Sequence, residues 1–145
     1  MKAKRLKVLF LCSGNSCRSQ MAEAIINHHL NDRWQAVSAG TKPAGFVHPK
    51  AIQVLDEIGI VHNGRSKSVD EFIGTLFDLV VTVCDSASEE CPIWLGIGIQ
   101  EHINFPDPAA ARGEEEEVIE FFREVRDDIA EKIPPLLQQF EANQN

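Results

Sequence analysis

The sequence has no apolar run long enough to cross a bilayer; stretches such as Val8-Leu9-Phe10-Leu11 end after a few residues. Nor is an export leader expected. Lys2 to Lys7 is basic, but the apolar residues behind it break at once into Ser13, Gly14 and Asn15, so no hydrophobic region forms and a cytoplasmic location is expected. Four cysteines in 145 residues are too few for a disulfide scaffold, which points to a reducing compartment and thiols kept for chemistry. Basic charge is scarce and uneven. Residues 1–88 hold ten basic and eight acidic side chains, residues 89–145 four and fourteen, and this acidic second part argues against nucleic acid as a partner. What remains is ordinary globular composition, 43% hydrophobic and 25% charged. It excludes disordered, collagenous and coiled-coil classes, and the length predicts one domain, residues 1–145; a monomer is the expectation, though length does not set it.

Lys7 to Cys12 reads as a strand buried on both sides, Ser13 to Ser16 as a turn, and from Ser19 the apolar period becomes helical, with Met21, Ala24, Ile25, His28 and Leu30 on one face. Trp34 to Ala39, closed by Gly40, predicts a second strand, and Pro49 opens a helix that Gly59 ends. A short helix is expected within Val69 to Leu76, and Asp78 to Cys84 is a third buried strand. Asp85 to Gly98 is irregular, Ile99 to Phe105 holds a short strand, and Glu114 to Phe140 is a long helix that Pro134-Pro135 should bend or shorten. Glu114 to Glu117 fits the first turn of that helix, where carboxylates face its positive end. The alternation predicts an α/β fold: a small four-stranded parallel sheet with helices on both faces.

Cys12-Ser13-Gly14-Asn15-Ser16-Cys17-Arg18-Ser19 lies between a strand and a helix. That junction aims backbone N–H groups and the positive end of a helix at whatever occupies the loop. Gly14 permits a tight turn, Arg18 supplies a two-pronged donor, and Cys12 at the strand end is placed as a thiolate nucleophile that Ser19 could support. Such a cradle fits tetrahedral oxyanions such as phosphate or arsenate. The lysine of a nucleotide-binding loop is missing. Cys17 reads as a packing thiol.

Cys84 also ends a strand, so it can share a rim with Cys12. Cys91 follows in a polar segment whose composition would let it fold back to Cys84; two unrelated thiols are the other reading. Asp107, held between Pro106 and Pro108, is either a general acid over the cradle or a turn residue. The five histidines form no ligand cluster among themselves, and neither a metal nor a cofactor is expected.

These residues carry a resemblance. Val8 through Ala24, Ser38-Ala39-Gly40-Thr41, Val80 to Asp85 with Cys91-Pro92, and Phe105-Pro106-Asp107-Pro108-Ala109 are similar, in order, to the arsenate reductases coupled to thioredoxin, which share the fold of the low-molecular-weight protein tyrosine phosphatases. The first stretch is common to both branches; the pair Cys84 and Cys91 resembles the reductases. The resemblance implies that Cys12 attacks arsenate held by Ser13 to Ser19, that Asp107 protonates the departing oxygen, and that Cys84 and then Cys91 carry the disulfide to thioredoxin. Some members hold potassium through residues matching Asn15, Glu23 and Ser38. Here a further acidic ligand is replaced by Lys67, whose ammonium would stand in for the ion. A phosphatase with a phosphocysteine intermediate is the alternative, weakened by the absence of any tyrosine and by Ala109-Ala110 beside the Asp-Pro pair. A non-catalytic oxyanion or redox sensor is the other.

Overall fold

The computed structural model describes residues 4–86 and 89–144. Strands β1 (Leu6–Cys12), β2 (Trp34–Gly40), β3 (Leu79–Thr82) and β4 (Ile99–His102) form one sheet in the order β2-β1-β3-β4, every pair parallel. The apolar run of β1 is explained by its central place: Val8, Phe10 and Cys12 face one side, Leu9 and Leu11 the other, and all are buried. On the first side lie α1 (Arg18–His29), α2 (Pro49–Asp56) and α3 (Glu115–Ala142), whose Met21, Ile25, Leu55, Phe122, Ile129 and Ile133 close the larger core. On the second side a 3₁₀ turn, Val69–Phe72, and the segment around Trp94 cover Leu9, Leu11 and Val80. The four-stranded parallel sheet flanked by helices follows the expectation, with the three α-helices on the first face and a single 3₁₀ turn on the second.

Some local readings shift. His28 is exposed; Ile26 takes its place in the core, because the buried arc of α1 is wider than one stripe. The predicted helix at Val69 to Leu76 is only one 3₁₀ turn, ended ahead of Gly74, which adopts φ +91°. α3 runs through Pro134 and Pro135. The lost N–H groups are offset by Ile133 and Leu137, fully buried on either side of them. Glu114 caps α3 and Glu117 Oε1 accepts its backbone N–H at 3.4 Å, as the acidic run suggested. β4 is exposed along its length, the edge of the sheet, and carries Glu101 there. Residues 87 and 88, inside the stretch read as irregular, and residues 1–3 of the basic start lie outside the described residues. Among the described residues no helix is long and apolar enough to cross a membrane.

The topology fixes where a ligand can sit. α1 leads from β1 to β2, and the chain then returns to the opposite side of β1 to form β3. The C-terminal ends of β1 and β3 therefore flank a switch point, where parallel α/β sheets open a crevice. Cys12 ends β1, and Cys84 follows β3 by two residues.

Candidate active site

The loop after β1 is turned inside out by its neighbours. The carbonyl of Ser13 accepts from Lys42 N–H (2.9 Å), that of Gly14 from Ala44 N–H (2.9 Å) and Ser66 Oγ (3.0 Å), and that of Ser16 from His48 N–H (3.0 Å). With its oxygens held outward, the loop's N–H groups are left to face the cradle. Asn15 makes the reversal in the left-handed region, φ +48°, a conformation asparagine tolerates. α1 starts at Arg18 with no side-chain cap at Cys17, so its first-turn N–H groups are free for an anion. Gly40 makes the close approach possible: a Cβ there would sit 2.4 Å from the Ser13 carbonyl oxygen.

Cys12 is buried, and its sulfur receives two contacts, the N–H of Asn15 at 3.3 Å and the hydroxyl of Ser19 at 2.8 Å. Ser19 accepts from Asn15 Nδ2 (2.8 Å), which leaves its own hydrogen for the sulfur. Both contacts bear on the sulfur itself. Ser19, in the first turn of α1, also directs its hydroxyl at Cys12, the contact expected above. Cys17 is different: burial, reinforced by the charges of Asp107 and Cys12, pushes its thiol up to about 12. It remains protonated and packs in the core.

Asn15 is itself locked. Its Oδ1 accepts from Lys67 N–H (2.8 Å) and from Gln20 Nε2 (2.9 Å). Gln20 Oε1 accepts in turn from His62 Nε2 (2.7 Å), because the amide nitrogen of Gln20 is committed to Asn15 and Arg65. His62 is buried, and burial, with the nearby ammonium of Lys67, holds its pKa below the usual 6.5 against the opposing charge of Glu23. The Lys67 ammonium donates to Arg65 O (3.0 Å) and lies 3.6 Å from Glu23 Oε1, which also accepts from Ser38 Oγ (3.0 Å). The side chain of Lys67 therefore supplies the positive charge beside Glu23, and the residues around it do not fit a potassium ion as well.

Arg18 is buried at the mouth of the loop, its Nη1 donating to Phe105 O at 3.1 Å. Asp107 follows on the same rim, Oδ2 3.9 Å from Arg18 Nη2, while its Oδ1 accepts from Ala109 N–H (3.0 Å). Asp107 is thus a turn residue and a cradle-edge carboxylate at once. The fork of Arg18 is taken by Glu89, which no sequence signal singled out: Nη1 to Oε2 is 2.5 Å and Nη2 to Oε1 is 2.9 Å. Burial would raise the pKa of Glu89, but the bonds from Arg18 and the N–H of Asp85 outweigh it and hold the carboxyl below its usual value. Burial likewise opposes the charge of Arg18, and the bond to Glu89 with the nearby anions keeps it charged.

Cys84 and Cys91 form a disulfide, with Cα atoms 5.8 Å apart, while Cys12 and Cys17 are free thiols. Cys84 is buried and Cys91 partly exposed. A cleft of about 500 Å³ is lined by Ser13, Thr41, Lys42, Glu89, Cys91 and Ile93, so the redox segment and the cradle loop share one opening. His102, which forms no cluster with other histidines, lies within 4.8 Å of both sulfurs; bonded to each other, these offer no thiolate to a metal.

A strand-end thiol beside a loop of outward-turned carbonyls, with a buried arginine and an aspartate on its rim, has the geometry to hold an oxyanion against a cysteine. The sequence pattern of the low molecular weight phosphotyrosine protein phosphatase family matches residues 7–145, and the chain belongs to that family. Within it, the chain is 43% identical over 127 residues to an arsenate reductase of Bacillus subtilis (strain 168), spanning 87% of this chain and 91% of that protein. The solved structure of an arsenate reductase from Archaeoglobus fulgidus DSM 4304 is similar at 30% identity and a TM-score of 0.62, over 86% of this chain and 96% of that one. A low molecular weight protein tyrosine phosphatase from T. tengcongensis is similar at 25% identity and a TM-score of 0.69, over 92% and 99%.

Proposed function

We propose that this chain reduces arsenate to arsenite, with Cys12 as nucleophile and Cys84 and Cys91 as the relay that carries the oxidation outward. The observation that carries this reading is the pairing of Cys84 with Cys91 beside a free, hydrogen-bonded Cys12. A phosphatase needs only Cys12, Arg18 and Asp107, whereas a reductase needs two further thiols at the same opening.

The Cys12 thiolate attacks arsenic while the loop N–H groups and Arg18 hold the arsenate oxygens, and Asp107 gives its proton to the departing oxygen, which leaves as water. Cys84 then attacks the Cys12 sulfur. The sulfur–arsenic bonding pair stays on arsenic, which becomes trivalent and departs as arsenite, and a Cys12–Cys84 disulfide remains. Cys91 attacks Cys84, Cys12 leaves as a thiolate, and the pairing described above results. Because Cys84 is buried and Cys91 partly exposed, an incoming dithiol attacks Cys91. Thioredoxin is the reductant proposed; Ile93, Leu95 and Ile97, exposed just beyond Cys91-Pro92, give it an apolar surface to rest on.

Consumption of NADPH with arsenate, thioredoxin and thioredoxin reductase tests the reading. Wild type is expected to turn over, and Cys12→Ser, Cys84→Ser and Cys91→Ser to lose turnover. Rapid hydrolysis of an aryl phosphate with no response to arsenate would favour the phosphatase reading instead.

A further inference from the structure

The guanidinium of Arg18 is not waiting for a substrate. Glu89 grips it with two parallel bonds of 2.5 and 2.9 Å, the geometry by which arginine binds an oxyanion. The side chain of Arg18 is 5% exposed and that of Glu89 21%, so the pair is largely withdrawn from water. Glu89 sits inside the ring that the Cys84–Cys91 disulfide closes, and its Oε2 also accepts the N–H of Asp85, one residue past Cys84, at 3.1 Å. The covalent ring and the carboxylate are therefore parts of one folded-back segment. The imitation is incomplete: Arg18 Nε is buried and has no hydrogen-bond partner among the described residues. A carboxylate has two oxygens, and a tetrahedral oxyanion has more to offer that third donor.

We propose that Glu89 is a built-in oxyanion mimic: while the Cys84–Cys91 disulfide is closed its carboxylate occupies the Arg18 fork and shuts the cradle to tetrahedral oxyanions, and reduction of the disulfide releases it. This rests on the reading of Cys12 to Ser19 as an oxyanion cradle. Asp107, 3.9 Å away, already places a second carboxylate near Arg18, so a further anion cannot enter while Glu89 stays. Reduction breaks the S–S bond and leaves two thiols, the two electrons and two protons coming from a dithiol that becomes a disulfide itself. With the disulfide open, Cys91 no longer holds Glu89 beside Cys84, and Glu89 can leave the fork. A fresh oxyanion then binds only after the enzyme has been recharged. By linkage, an oxyanion that prefers the reduced form also makes the disulfide easier to reduce, and each tenfold of preference corresponds to about 30 mV in the Cys84–Cys91 couple.

The test is calorimetric titration of inorganic phosphate into oxidised and reduced wild type, Glu89→Gln and Glu89→Ala, with thiol counting to verify that each oxidised sample retains its disulfide. Oxidised wild type is expected to bind phosphate at least tenfold more weakly than reduced wild type. In both variants the two redox forms should bind within about threefold of each other. Equal binding by oxidised and reduced wild type overturns the gate and leaves the cradle reading intact. So does weak binding that persists in the oxidised Glu89 variants. Absence of phosphate binding in every sample overturns the cradle and the gate together.

Discussion

At the scale of single residues, the chemistry of the site depends on where hydrogens point. Ser19 accepts from Asn15 Nδ2 and keeps its own hydrogen available for the Cys12 sulfur. Ser19→Ala should therefore lower kcat/KM about tenfold, the worth of one charge-assisted bond of roughly 1.5 kcal/mol. Alkylation of native protein should spare Cys17, whose buried thiol is pushed up to about 12. The nucleophile, its arginine and the flanking serine are contiguous in sequence, and local chemistry made them readable there. Glu89 was not readable: 71 residues separate it from Arg18, and a glutamate in a polar segment carries no local sign of a distant partner.

At the scale of elements, the loop is shaped by segments that never touch substrate. Gly40 ends β2 directly against Ser13, and Gly40→Ala should cost about 1–3 kcal/mol of stability, read by urea denaturation, with a larger loss of activity as the loop is pushed open. The chain around His62 to Lys67 acts from the other side. The folded-state pKa of His62 is depressed, so below about 6.5 the unfolded chain takes up a proton that the native imidazole refuses. Stability is then complete above that pH and falls as pH drops toward the native value. His62→Gln should flatten the change in denaturation free energy between pH 7.5 and 5.5; His48, lowered in the same direction by burial first and then by Lys50, titrates in both proteins. Apolar period and turn residues showed the strands and the long helix. Their ends were less readable, because the burial of Ile133 and Leu137 across two prolines is a tertiary effect.

At the scale of the whole molecule, β1 and β3 bring two strand ends together, and the segment after β3 folds its second thiol back to the same opening. Trp94 anchors that segment in the second core against Phe77, rings 5.8 Å apart, while Ile93, Leu95 and Ile97 face solvent. Ile93→Glu with Leu95→Glu should raise the KM for thioredoxin several-fold and leave a single turnover with arsenate unchanged. The parallel order of strands followed from alternating elements, but the pairing of Cys84 with Cys91 depends on how an irregular segment folds back, which spacing leaves open. The most direct test of the relay is one turnover of fully reduced Cys91→Ser with arsenate, followed by mass-spectrometric mapping of its disulfides. One arsenite per chain and a Cys12–Cys84 disulfide are predicted; arsenite formed without that bond, or repeated turnover without Cys91, would contradict it.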